Sequence, residues 1–169
     1  MIARGAVERV RHAPSPDAGP FAAVALGLCR LGLFPIPLGG EDGKRPLIAR
    51  FTKICKPSLS TVERWIDRWP RANIGIVTGA VSGFVVIDID SDDPAVWAQV
   101  IKRFGDTPLK IQTPSGGLHL YYHWNDERNR NLRPELPVDI KGTGGQVVVS
   151  PSVRLTGPYA GSKLGHGMM

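Results

Sequence analysis

Cysteine is scarce in this chain. Cys29 and Cys55 are the two present in 169 residues, and neither has a Cys or His nearby at zinc-ligand spacing. That excludes a disulfide scaffold and argues against a structural zinc site. Cys29 falls in an apolar helical stretch and reads as a small core residue. Long apolar runs are missing too. The most apolar window, residues 21–33, is broken by Arg30 and is too short to span a bilayer. It also begins too late for an ordinary signal peptide. The expectation is a cytoplasmic protein with no membrane partner. Acid is in short supply: 21 Lys and Arg stand against 15 Asp and Glu, for a net charge of +6 and a pI near 9.7. A basic domain of this kind often meets phosphate, as nucleotide or as nucleic acid. A hydrophobic content of 42% and a charged content of 21% are ordinary for a soluble globular chain. The length suits one domain with a real core.

Residues 1–19 are basic, then rich in Pro, Ala and Ser, and read as a loose arm. Residues 20–160 are expected to form the single folded domain, and the Gly-rich stretch 161–169 a frayed tail. Within the domain, residues 22–33 predict a buried helix ending near Gly32. Residues 34–38, F-P-I-P-L, are extended because each Pro biases its predecessor away from helix. Residues 39–46 are a polar loop holding Lys44 and Arg45; a loop Lys beside glycines can reach a phosphate, but read in isolation the stretch is first a solvated surface loop. Residues 60–69 predict a helix with Ser60 and Glu63 as a capping box. Val62, Trp65, Ile66 and Trp69 fall on its apolar face, so both Trp read as core. Residues 73–77 predict a strand. The turn 78–83 then leads into residues 84–90, which suggests a hairpin.

Residues 84–90, F-V-V-I-D-I-D, organise the rest. Alternation puts Val85, Ile87 and Ile89 on one face, to pack on a helix, and Phe84, Val86, Asp88 and Asp90 on the other. The two carboxylates stand about 6.5–7 Å apart along the strand. That separation suits one divalent cation or two bridged ones. The plainer alternative is that Asp90 is the first exposed residue and Asp88 a turn partner. Asp92 and Asp93 are not counted as ligands. Asp93 reads as an N-cap with Pro94 at the first helical position, and Val96, Trp97, Val100, Ile101 and Phe104 make a stripe ended by Gly105.

Residues 110–112 and 118–124 predict strands around the turn T-P-S-G-G. In that turn Ser115, Gly116 and Gly117 offer a hydroxyl and backbone N–H groups, a small anion-binding nest. His119, Tyr121 and His123 share one strand face, and Leu118, Leu120 and Tyr122 the other. A structural role for His119 is the competing reading. Residues 125–134 form a charged loop in which Arg128, Arg130 and Arg133 either contact a nucleic-acid backbone or are solvated. Residues 137–141 predict a strand with Asp139 and Lys141 opposite Val138 and Ile140. Residues 146–149 return as an apolar strand after a glycine turn.

Three separate strands therefore carry Asp88 and Asp90, His119, and Asp139 on faces opposite apolar ones. Three acids and a histidine around a basic, glycine-lined pocket is the composition that nucleotidyl transfer requires. The carboxylates hold divalent metal, and the nest and the histidine hold a triphosphate.

Four stretches in this order, R-W-P-R-A-N-I-G-I-V-T-G, V-V-I-D-I-D, T-P-S-G-G-L-H-L-Y-Y and V-D-I-K-G-T-G-G-Q-V-V-V-S-P-S, give the chain its resemblance. It resembles the N-terminal primase-polymerase domain of the archaeo-eukaryotic primase superfamily, found in plasmid, phage and prophage replication proteins. The resemblance runs from about residue 22 to 153. It implies an α+β fold in which a small α/β unit packs with an RRM-like antiparallel sheet and flanking helices, the catalytic cleft lying between them. It implies metal binding by Asp88, Asp90 and Asp139, with Mg²⁺ or Mn²⁺ as cofactor, and phosphate contact by His119. Ser115, Gly116 and Gly117 would join His119 on the triphosphate, with Lys44 and Lys141 as charge partners. The implied partners are a single-stranded DNA template, NTP or dNTP, and a helicase domain or protein in cis or in trans. Members of that family usually continue into a helical or helicase segment, so this chain also reads as a fragment that is inactive without its downstream part. Two other classes stay open: a non-catalytic nucleic-acid or nucleotide-binding module, and a metal-dependent phosphohydrolase or nuclease using the same acids on water.

Overall fold

The computed structural model of the chain describes residues 18–154 and 157–158. The expected tail lies outside the described residues, as does nearly all of the expected arm. The fold is α+β, with antiparallel sheets and, among the described residues, three α-helices. None of these helices is long and apolar enough to cross a membrane.

Helix α1 (Pro20–Arg30) starts two residues earlier than its composition suggests, because Pro20 takes the first helical position, where its fixed φ fits and its missing N–H matters little. It stops at Arg30. Gly32 turns the chain with φ +82°, and the Leu33 N–H donates back to the Leu28 carbonyl, a glycine-terminated helix end. β1 (Pro35–Gly39) follows. The loop expected over residues 39–46 closes into a two-residue strand, β2 (Arg45–Pro46), paired with Leu38 and Gly39. Helix α2 (Leu59–Arg68) is capped by Ser58, whose side chain accepts from the Thr61 N–H. The expected capping box of Ser60 and Glu63 is thereby corrected by two residues. Pro57 and Ser58 are extended entry residues, and the hydroxyl that meets the first free N–H groups makes the cap.

β3 (Asn73–Val77) and β4 (Phe84–Ile89) do not form the expected hairpin. The turn between them closes one bridge, Gly79 to Phe84, and then the strands part. β3 lies between β1 and β9 (Gln146–Val148) in a four-stranded sheet of order β2-β1-β3-β9. β4 lies between β6 (Leu118–His123) and β8 (Val138–Lys141) in a five-stranded sheet completed by β5 (Lys110–Gln112) and β7 (Arg130–Asn131), of order β5-β6-β4-β8-β7. Each strand has both edges taken by other partners, so no edge is left for pairing the two together. For the same reason residues 146–149 do not return beside β8. The chain crosses to the other sheet and pairs β9 with β3, Gln146 opposite Val77. The short β7 also interrupts what reads as a loop over residues 125–134. A further short ladder joins β10 (Val153–Arg154) to β11 (Gly157–Pro158).

The α3 helix (Pro94–Phe104) is capped by Asp93, which accepts from the Ala95 N–H, and it ends at Gly105. Its stripe packs on Val85, Ile87 and Ile89 of β4, Leu118 and Leu120 of β6, and Val138 and Ile140 of β8. α1 and α2 form a second cluster with Phe21, Ala25, Val62, Ala72 and Ile74, and Trp65, Ile66 and Trp69 pack against it. Trp65 in α2 and Trp69 at its C-cap are thus half-buried against the core. A third cluster joins Phe34, Ile36 and Leu38 to Val77 and Val148. With one face of the five-stranded sheet filled by α3, its other face is left to border β9, the edge strand of the four-stranded sheet.

Candidate nucleotide and metal site

Strand register gathers the site. Asp88 on β4 is paired with His119 on β6 and, across its other edge, with Asp139 on β8. Register partners share a face, so these three side chains form one row across the sheet. His119 Nε2 stands 3.2 Å from Asp88 Oδ1, and His119 is 3% exposed. Lys141, one step along β8, reaches Asp139 Oδ2 at 2.7 Å and Asp88 Oδ2 at 3.8 Å. Two carboxylates opposite each other repel, and Lys141 bridges them. Burial raises the Asp88 carboxyl. Its hydrogen bond and attraction to His119, with the charges of Lys141 and Lys44, outweigh that and hold it below the ordinary 3.8. Asp88 therefore stays ionised at neutral pH.

Asp90 lies just past the end of β4. Its backbone N–H donates to the Pro137 carbonyl, and its carboxylate is paired with Arg133. Arg130, a second loop arginine, is paired with Glu127.

Asp88, Asp90, His119, Lys44, Lys141 and Ser115 line one small cleft of about 100 Å³ between the two sheets. Asp139 does not line it and is tied to it through Lys141. Gly116 and Gly117 do not line it. The Gly116 N–H donates to the Thr113 carbonyl, so that amide is committed within its own turn rather than free for a phosphate. Gly117 has a different reason to be glycine: a Cβ there would sit 2.2 Å from the Ile89 carbonyl oxygen of β4. The turn crosses over the strand that ends in the acids, and only bare backbone fits beneath it.

The cleft also contains Thr113 and Gln146, which reading the residues one element at a time does not single out. Thr113 Oγ1 lies 3.1 Å from Ser115 Oγ, so the T-x-S spacing brings two hydroxyls together. Gln146 is the one polar residue of an otherwise apolar strand, which is a usable signal. Its Nε2 donates to the Lys44 carbonyl at 3.3 Å and fixes the Lys44 loop to β9. Nothing local signals that Arg133 meets Asp90.

The three carboxylates are a hard-oxygen donor set of the kind Mg²⁺ and Mn²⁺ take. As they stand, no three His, Cys, Asp or Glu side chains among the described residues are gathered closely enough to hold a metal ion. Lys141 and Arg133 supply the positive charge instead. The donor types fit a divalent cation.

A family model described as bifunctional DNA primase/polymerase, N-terminal (Prim-Pol), matches residues 25–162. No curated protein matches the chain.

Proposed function

The chain belongs to the Prim-Pol family, and on that premise we propose that it is a template-directed nucleotidyltransferase that joins an NTP or dNTP to a 3′-hydroxyl. The observation that carries this reading is the row His119–Asp88–Asp139 facing Lys44 across a cleft between two sheets. Asp88, Asp90 and Asp139 would hold Mg²⁺ or Mn²⁺. When bound, the metal supplies activation of the attacking hydroxyl and charge neutralisation at the transferred phosphoryl group and departing pyrophosphate. The protein's own residues do the rest. Asp88 is kept ionised by its neighbours and is ready as a ligand. His119 Nε2 and the Lys44 and Lys141 ammonium groups are the donors toward the triphosphate, with the hydroxyls of Ser115 and Thr113 beside them. Arg133 and Lys141 compensate the acids before the ligand arrives and exchange onto phosphate oxygens afterwards. A role in plasmid or phage replication, beside a helicase in cis or in trans, rests on the family resemblance alone.

The test is nucleotide incorporation on a primed single-stranded DNA template with Mg²⁺ or Mn²⁺. Wild type is expected to extend the primer, and Asp88→Ala/Asp90→Ala to lose extension by at least a hundredfold. A folded wild-type protein with neither incorporation nor metal-dependent nucleotide binding would reduce the chain to a binding module.

A further inference from the structure

The strand face that carries His119 does not end there. The next positions on it are Tyr121 and His123, with Val86 and Phe84 as their register partners on β4. The rings run in series. The His119 and Tyr121 centroids are 6.3 Å apart, edge to face, and those of Tyr121 and Phe84 are 5.7 Å apart. Beyond them opens a groove of about 560 Å³ whose walls include Leu33, Phe84, Pro108, Leu109, Tyr121 and His123. That size and lining suit a small planar ligand. Leu109 is 46% exposed, so the groove keeps apolar surface in water. Two of its polar neighbours are committed elsewhere: Thr107 donates to the Tyr121 carbonyl at 2.6 Å, and Asp106 is paired with Lys110. The opposite lip is cationic. The Lys56 ammonium donates to the Gly32 carbonyl beside Leu33, and exposed Arg30 lies in the last turn of α1.

We propose that this groove stacks one unpaired base of the single-stranded DNA template, with Lys56 on an adjoining phosphate. The identity of the polymer rests on the function proposed above; the groove and its chemistry do not. Aromatic and apolar walls with a cationic lip are the two halves of single-strand recognition: bases stack and phosphates pair with Lys or Arg. The groove begins about 7 Å and ends about 13 Å along β6 from His119. The groove shares no lining residue with the cleft that holds Asp88 and His119, which suits a neighbour of the base being copied rather than the incoming nucleotide. The walls are mainly aromatic and apolar, so the base is held chiefly by its face, and binding is expected to tolerate any sequence.

The test is fluorescence anisotropy of a labelled 20-residue single strand with the full chain, without metal, over a range of salt. Phe84→Ala is expected to weaken binding about tenfold at every salt concentration, and Phe84→Tyr to restore it. Leu109→Glu, at an exposed position that leaves the core intact, is expected to weaken binding similarly. Lys56→Ala is expected to lower the slope of log K against log salt by about 0.7, which the ring substitutions leave unchanged. On an abasic strand of equal length the Phe84→Ala effect should vanish. Unchanged affinity in folded Leu109→Glu, or an equal Phe84→Ala loss on the abasic strand, overturns the proposal. So does a loss confined to dNTP binding, which would give the groove to the nucleotide. If incorporation fails while single-strand binding follows these variants, the polymerase reading falls and the groove assignment stands.

Discussion

Residues 18–77, which hold α1, α2 and the first three strands, carry nine Lys and Arg against four Asp and Glu, whereas residues 78–145 carry seven against nine. The two regions also use their charges differently. In the second, Asp88, Asp90, Asp106, Glu127, Glu135 and Asp139 each touch a Lys, Arg or His. In the first, positioned cations rest on neutral partners: Lys56 on a carbonyl, Arg64 on the Thr61 hydroxyl, Arg68 over the Trp69 ring. A cation on a neutral partner keeps its full field for a polyanion outside. An acid paired with an internal cation is held in place without exposing uncompensated charge. The contrast lies in where charge is compensated: the acids of the second region, Asp88 and Asp139 among them, are paired within the fold, whereas these three cations of the first rest on neutral groups.

Removing Lys141 is the strongest way to break this contrast. Lys141→Met leaves Asp88 and Asp139 opposed without their bridge and is expected to destabilise the fold by about 1.5–3 kcal/mol, measured by urea unfolding at low salt. Millimolar Mg²⁺ is expected to recover part of that loss, because a divalent cation replaces the missing charge. No Mg²⁺ effect in the variant would mean the two acids do not share a cation site.

Acid titration is expected to give the next largest effect. Burial raises the Asp88 carboxyl, but His119, Lys141 and Lys44 more than offset it, and its folded value lies below 3.8. Stability from these contacts is complete above the unfolded value and is lost as pH falls through the lower folded one. The difference in Tm between wild type and Asp88→Asn should therefore stay constant from neutral pH down to about pH 5 and shrink below the ordinary carboxylate range. A difference that is independent of pH down to pH 2 contradicts the pairing.

The smallest effect belongs to the outermost pair. Arg103 and Glu135 are paired at 2.5 Å, but their side chains are 41% and 66% exposed. Glu135→Ala is expected to change stability by about 0.2–1 kcal/mol, less at high salt. A larger change would mean that pairing in this region is structural throughout, not concentrated at the cleft.

Much of the site is legible in the chain because strand sidedness is local. Asp88, His119 and Asp139 sit opposite Ile87, Leu118 and Val138, and alternation alone assigns each to a polar face. The α3 cap at Asp93 is legible for the same reason: the hydroxyl- or carboxylate-bearing residue, the Pro and the apolar stripe are contiguous. The α2 cap is less so, because Ser58 and Ser60 both precede the apolar stripe, and only backbone geometry decides which hydroxyl reaches a free N–H. Gly116 shows another limit. Its composition suggests a nest, but whether an amide is free depends on the turn's own hydrogen bonds.

The chain alone carries the three helices and the longer strands, the apolar face of each, and the presence of acid or imidazole on three strands, while the two-residue strands β2 and β7 read as loop. Those properties follow from the period of two or 3.6 and from neighbours a few residues away. Tertiary structure was needed to show that β3 and β4 belong to different sheets, that Gln146 joins Lys44 in the cleft, that Arg133 stands against Asp90, and that Leu33 shares a groove with Tyr121 and Phe84. Each of these depends on which strand edges are already occupied and on residues far apart in the chain meeting in space, and no local pattern carries that information.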